Sequence, residues 1–302
     1  MMKKTISCLL LMLLLCASAA QAVTFTDDLG REVTVEAPAR VAALTGSYAD
    51  LWCLAGGADS LVAAPRDAFS DFGLPFTADM TDLGLSKKIN LETVLGARPD
   101  LILASSATAS NTALMDAFDQ MNIPCAYFDI QSFEDHLRVL SLLTSVTGAP
   151  DRYLLYGEGQ LEQIDRARAR ADGSDPLVLY VRVSTTGCKV KNSTGSILGG
   201  MLKDLGAVNI ADSDDSLLEN LSFEVIMQQD PAHIFIILQG SETETLEKVL
   251  QNTLTGDPAW ASLTAVKNGQ VHIMDARKYN LKPNALWGEA YEELADILYP
   301  QE

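Results

Sequence analysis

The sequence predicts an α/β protein of two lobes with mainly parallel sheets, joined by a single long α-helix. Three observations carry that expectation. Short apolar runs alternate with helical patterns, the spacing that builds a parallel sheet covered by helices. The order of elements then restarts at "PLVLYVRVS" (from Pro176), and a motif restarts with it: Glu92 stands seven positions before Pro99, and Glu224 seven before Pro231. Between the halves lies an amphipathic stretch, "APDRYLLYGEGQLEQIDRARARAD", where a flexible linker would be rich in Gly, Ser or Pro.

Taken in order, "MMKK" is a basic start, "TISCLLLMLLL" an apolar run and "CASAAQA" a small-residue end with Ala20-Gln21-Ala22 in an A-x-A pattern. This reads as a signal peptide over 1–22, with Val23 as the mature start. A lipid anchor at Cys16 competes with it, but Leu15 stands where lipoprotein signals carry a small residue, so ordinary cleavage is favoured. "FTDDLGREVTVEAP" alternates apolar and polar residues around Leu29-Gly30 and predicts a small hairpin. "RVAAL", "SLVAAP", "DLILAS" and "PCAYFD" predict strands. "YADLWCLAGG", the Glu92 segment and "NTALMDAFDQM" predict the helices between them, completing a first lobe over 23–148.

"SFEDHLRVLSLLTSVTG" predicts an amphipathic helix stopped by Gly148. The connector over 149–172 follows, with Pro150 near its first turn, where proline is tolerated. At ~1.5 Å per residue it spans ~33 Å, with Gly157 and Gly159 as local weak points. The second lobe, 173–302, predicts strands at "PLVLYVRVS", "AVNIA" and "HIFIIL" and helices at "SILGGMLKDLG", "LEKVLQN" and "NALWGEAYEELADILY". "AVKNGQVHIM" reads as a hairpin about Asn268-Gly269.

Composition excludes several function classes. Without Lys3 and Lys4 the chain holds 20 basic against 40 acidic residues. Phosphate binding needs a basic surface, so nucleic acid is not an expected partner. The remaining cysteines, Cys53, Cys125 and Cys188, are odd in number and form no disulfide framework. His136, His233 and His272 lack chelating spacing, so no metal site of the chain's own is expected. There is no G-x-S-x-G elbow, P-loop or G-x-G-x-x-G after a strand, which argues against an exported enzyme, the main rival class.

Three motifs in the right order, "FTDDLGREVTVEAPARVAAL", "NLETVLGARPDLILA" and "PAWASLTAVKNGQVHIMDA", resemble the ABC-importer solute-binding proteins for iron–siderophore complexes, haem and vitamin B12. The resemblance covers the whole mature chain. It implies two Rossmann-like lobes on one long helix, a ligand cleft between them, and a monomer. It also implies a permease dimer with its ATPase subunits as partner, and export to the periplasm or the outer face of the cytoplasmic membrane. In that family a glutamate on each lobe docks into arginine pockets of the permease, and Glu92 and Glu224 fall on the matching positions.

Ligands of open α/β sheets bind beyond the carboxyl ends of strands. That places Tyr48, Arg66 (beside Pro65 and Asp67) and Ser105 at the cleft in the first lobe. In the second it places Arg182, Gln239 and Ser241, and after the last hairpin Arg277, Tyr279 and Lys282. The basic stretches "VRVSTTGCKVK" and "ARKYNLKPN" favour an anionic iron–siderophore chelate, with a corrinoid or haem as alternatives. Haem would need an axial ligand, for which Tyr48 and Tyr279 are the candidates. No resident cofactor and no catalytic residue are expected. Trp52, Trp260 and Trp287 fall in amphipathic contexts that predict core packing.

Overall fold

The computed structural model describes residues 22–301 apart from 215, 220 and 241. Residues 1–21 of the expected leader, with Cys16, and Ser241 lie outside the described residues. The chain opens with the expected hairpin of β1 (Val23–Thr26) and β2 (Glu32–Val35), antiparallel through a turn at Gly30. Next come β3 (Val41–Ala43), β4 (Leu61–Ala64), β5 (Thr81–Asp82), β6 (Leu101–Ser105) and β7 (Cys125–Phe128), all parallel in the order β5-β4-β3-β6-β7. Strands β3, β6 and β7 are buried on both faces, which is why they read as unbroken apolar runs rather than alternating ones. Helices α1 (Gly46–Trp52), α2 (Arg66–Ser70), α3 (Leu91–Gly96), α4 (Ala109–Thr112) and α5 (Met115–Gln120) fill the connections.

Beyond this lobe run α6 (Phe133–Thr147), α7 (Pro150–Tyr156) and α8 (Leu161–Arg168). Ser132 and Asp135 cap α6 reciprocally, and Gly148, at φ +70°, ends it in the left-handed conformation. Ser132→Ala is expected to cost about 0.5–2 kcal/mol, read as a lower denaturation midpoint at unchanged m-value.

The sequence predicts one continuous helix for the connector, but the connector is in two pieces. It breaks at Gly157 (φ −110°, ψ −90°) and re-forms after a 3₁₀ turn, Glu158–Gln160. A Cβ at Gly157 would stand 2.7 Å from the Tyr153 carbonyl oxygen and 3.0 Å from a Leu137 methyl. The backbone is thus pressed against α6, and the missing side chain permits both the bend and the contact. Its stiffness comes from packing instead of continuity, because α8 lies against α15 (Trp287–Leu298) and α7 against α6.

The second lobe builds β8 (Leu177–Ser184), β9 (Gly187–Lys191), β10 (Val208–Asn209), β11 (His233–Leu238) and β12 (Val271–Met274). Parallel strands follow the order β10-β8-β11-β12, and β9 runs antiparallel along the end of β8. This order repeats β4-β3-β6-β7 of the first lobe, so the repeated sequence motif marks a repeated fold. Its helices are α9 (Ile197–Asp204), α10 (Ser216–Glu219), α11 (Phe223–Gln229), α12 (Thr243–Leu250), α13 (Thr264–Lys267) and α14 (Ala276–Tyr279).

The hairpin expected at "AVKNGQVHIM" is absent. Thr264–Lys267 is α13, Gly269 (φ +70°) follows its end, and β12 joins β11 in parallel. An Asn-Gly pair serves a helix C-terminus as readily as a hairpin, since both need positive φ. Conversely, β9 went unread in "VRVSTTGCKVK", where Thr185-Thr186 make the turn.

One apolar core runs through both lobes. It joins Leu103 and Phe128 of the first sheet to Tyr180 and Phe235 of the second by way of α6, α8 and α15. The three tryptophans are buried, as expected; Trp287 meets Phe133 edge-on at 6.0 Å beside His136. His136 is fully buried and its Nε2 donates to the Tyr156 carbonyl (2.9 Å). Burial pushes its pKa from 6.5 down to about 4. A depressed folded value means stability that is complete above pH 6.5 and lost as pH falls towards 4. Denaturant titrations at pH 7.5 and 4.5 should differ by on the order of 3 kcal/mol from this group. His136→Gln, which keeps a donor, should flatten that part of the profile.

Candidate ligand cleft and docking surface

A cavity of about 340 Å³ lies between the lobes. The first lobe contributes Thr45, Ser47 and Tyr48 after β3, Asp67 after β4, Ser86 and Lys87 after β5, and Ser105 and Thr108 at the end of β6. The second contributes Tyr180 and Arg182 of β8, Ser196 before α9, Gln239 after β11, and Tyr279 to Lys282 after α14. Strand β6 reaches it by its last residue, Ser105, β8 by Tyr180 and Arg182, and the loops after the carboxyl ends of β3, β4, β5 and β11 supply much of the rest. Larger depressions of about 450 and 630 Å³ lie elsewhere, each lined by one lobe alone.

Of the nine residues expected at the ligand, six line this cavity, Tyr48, Ser105, Arg182, Gln239, Tyr279 and Lys282, while Ser241 lies outside the described residues. Arg66 and Arg277 do not line it. Arg66 turns outward and pairs with Asp82 (3.0 Å), leaving its neighbour Asp67 at the cavity. Successive positions in a helical turn point about 100° apart, so finding the right loop does not select the right side chain. Arg277 is turned away from the cavity and pairs with Asp50 (3.2 Å) behind it. Lys87, Ser86 and Ser196 were missed, and no motif in the sequence marks them.

The two tyrosines are poorly placed to hold a metal. The Tyr48 hydroxyl donates to the Phe128 carbonyl (2.6 Å), and Tyr279 bonds to the Ala290 carbonyl (3.0 Å) and Glu293 (2.9 Å). Burial drives both phenols further from ionisation. No histidine lines the cavity among the described residues: His136 is in the core, while His233 and His272 meet at 3.5 Å across β11 and β12.

The charge pattern is distinctive for so acidic a chain. Arg182 faces Lys189 directly across the β8–β9 pair, and Lys191 lies opposite Tyr180. Like charges at opposed positions repel. Arg182, Lys189, Lys191 and Lys87 make no ion pair among the described residues. Burial, then Arg182 and Lys189, lower the Lys191 pKa. Lys282 donates to the Ile130 carbonyl of the other lobe, and burial lowers its pKa too. Burial raises the pKa of Asp67, the one carboxyl at the cavity among the described residues, where its Oδ1 has no hydrogen-bond partner.

Outside the cavity the two glutamates occupy equivalent sites. Asn90 caps α3 through Thr93 N–H (3.1 Å), and Ser222 caps α11 through Val225 N–H (3.4 Å). Glu92 and Glu224 stand at the second helical position, exposed and without an ion pair among the described residues. Each helix then passes through a left-handed residue, Arg98 (φ +51°) or Asp230 (φ +42°), into a proline and the central strand β6 or β11.

Residues 41–278 match the periplasmic binding protein family. The chain belongs to that family. Its members are solute-binding components of ABC importers, which bind small ligands and work with permease and ATPase subunits, outside the cytoplasmic membrane. This binding protein is 22% identical over 284 residues to an uncharacterized ABC transporter substrate-binding lipoprotein of Bacillus subtilis, covering 92% of this chain and 86% of that one. It is 24% identical over 249 residues to an iron-uptake system-binding protein of the same organism (80% and 76%). The solved periplasmic heme-binding protein of Roseiflexus sp. RS-1, in apo form, superposes with a TM-score of 0.69 at 20% identity, over 86% of this chain and 97% of that one. The two-lobed α/β fold of the binding proteins is therefore the fold of this chain. No helix among the described residues is long and apolar enough to cross a membrane.

Proposed function

We propose that this binding protein captures an intact anionic iron chelate of the siderophore type in the interlobe cleft and delivers it to an ABC permease. The observation that carries this is that Lys87, Arg182 and Lys282 line the cleft, with Lys189 opposite Arg182 on β9, in a chain with 40 acidic and 22 basic residues. Bringing Arg182 against Lys189 costs free energy in the empty protein, and an anionic ligand relieves it. The committed tyrosine hydroxyls support a cargo whose iron is already fully ligated, held through its peripheral oxygens by Arg182, Lys87, Ser105 and Gln239. A relative named for iron uptake agrees with that choice. The protein itself performs no chemical step; it binds, closes around its cargo and docks.

Docking falls to Glu92 and Glu224. Two equivalent carboxylates on two equivalent lobes suit a permease made of two similar subunits. Each sits at a helix N-terminus, which favours the negative charge before a partner arrives.

The test is a visible absorption spectrum and native mass spectrum of the purified protein, before and after adding a ferric triscatecholate, ferric citrate, haem and cobalamin. The expected result is a one-to-one complex with a ferric chelate and a ligand-to-metal absorption band. Binding of haem or cobalamin alone would replace the ligand assignment. Turnover of a small substrate without binding any of the four would replace the function.

A further inference from the structure

Arg277 was expected to touch ligand, and its contacts give it another task. Its Nη1 donates to two successive carbonyls, those of Lys282 (2.8 Å) and Pro283 (3.1 Å). Its Nη2 pairs with Asp50 of α1 (3.2 Å), and the guanidinium lies 4.1 Å from the ring centroid of Phe72. Asn284 is fully buried at φ +56°. Its Nδ2 donates to the same Asp50 carboxylate (2.7 Å) and to the Ser47 carbonyl (2.9 Å). From the connector, Gln160 donates to the Asn284 carbonyl (3.0 Å) and accepts from the Gly288 N–H (3.1 Å).

We infer that Arg277, Asp50 and Asn284 are positioning residues that hold the two walls of the cleft at a set separation before any ligand arrives. The inference rests on the cleft being the binding site. Ser47 lies on one wall and Lys282 on the other, and the network joins the backbone of both. The stretch between α14 and α15 has little regular structure, so its carbonyls need partners from elsewhere. A guanidinium fork meets two adjacent carbonyls and a carboxylate at once, which an ammonium point charge does not. The Asp50 carboxylate is buried, so it depends on both donors, and the left-handed Asn284 persists because its bonds over-determine it.

The test is hydrogen exchange with small-angle scattering on ligand-free protein, comparing the parent with R277A and R277K. The amides of Leu281 and Leu286, which bond to the Ala276 and Pro283 carbonyls, report on the stretch. In both variants these amides should exchange at least tenfold faster, with a larger radius of gyration. R277K keeps a positive charge beside Asp50 and decides the matter if R277A fails to fold. Unchanged exchange and dimensions in R277K would reduce Arg277 to an ordinary ion-pair partner and overturn the inference. Since no ligand enters these measurements, a failure here is separate from a failure of the binding assignment.

Discussion

Reversing both carboxylates proposed to dock, E92K with E224K, is expected to abolish importer-dependent uptake while the purified protein binds its ligand with unchanged affinity. Truncating one partner of a desolvated charge pair costs about 2–5 kcal/mol, and reversal adds repulsion. Two such losses exceed what a transient protein–protein contact tolerates. Neither residue lines the cleft, and their side chains are exposed and unpaired among the described residues, so the fold loses only a helix-end interaction of about 0.3–1 kcal/mol at each site. Single reversals should give intermediate transport, because each lobe carries one of the two proposed docking carboxylates. The measurement is labelled-ligand uptake in cells expressing each variant, alongside ligand titration and thermal melting of the purified proteins. Full uptake by the double variant, or a parallel fall in ligand affinity, would remove the docking role.

Replacing Arg182 with alanine should weaken binding of an anionic chelate by about 10- to 150-fold, the range for losing a hydrogen bond to a charged group at ~1.5–3 kcal/mol. The same change should leave the empty protein as stable as the parent, or slightly more so, because it removes the repulsion across the β8–β9 pair. Those opposite signs separate a ligand-binding role from a structural one. A residue that mainly held the hairpin together would lower both quantities. Binding should also depend less steeply on salt in the variant, since one cation has left the cleft. Isothermal titration at two ionic strengths and urea denaturation of the ligand-free protein supply both readings. Unchanged affinity would move the ligand away from β8.

Most of the fold was legible because its strands are buried on both faces and its helices on one. "DLILAS" and "HIFIIL" admit few alternatives to central parallel strands, and Ser132 with Gly148 brackets α6. Where reading failed, one local signal served two structures. Asn268-Gly269 ends a helix where a turn was expected, and Gly157 interrupts a helix that reads as continuous. At the cleft the contributing loops were legible because strand ends locate them. Which side chain within a loop faces inward was not, as Arg66 and Asp67 show, and Lys87 sits in a segment with no pattern at all.

The amino-acid sequence by itself determined the two-lobed α/β plan, the repeat that sets Glu92 and Glu224 in equivalent places, and the strand ends whose loops line the interlobe cavity. Those properties follow from hydrophobic periodicity and capping, which act over a few residues. Only the tertiary structure decided that α15 returns to pack on the connector, that Arg277 pairs with Asp50 instead of lining the cleft, and that both candidate tyrosines are committed to backbone carbonyls. Most of these depend on a partner distant in the chain, Asp50 to Arg277 spanning 227 positions and Tyr48 to Phe128 spanning 80. Contacts at that separation are settled by how whole elements pack, about which a local pattern carries no information.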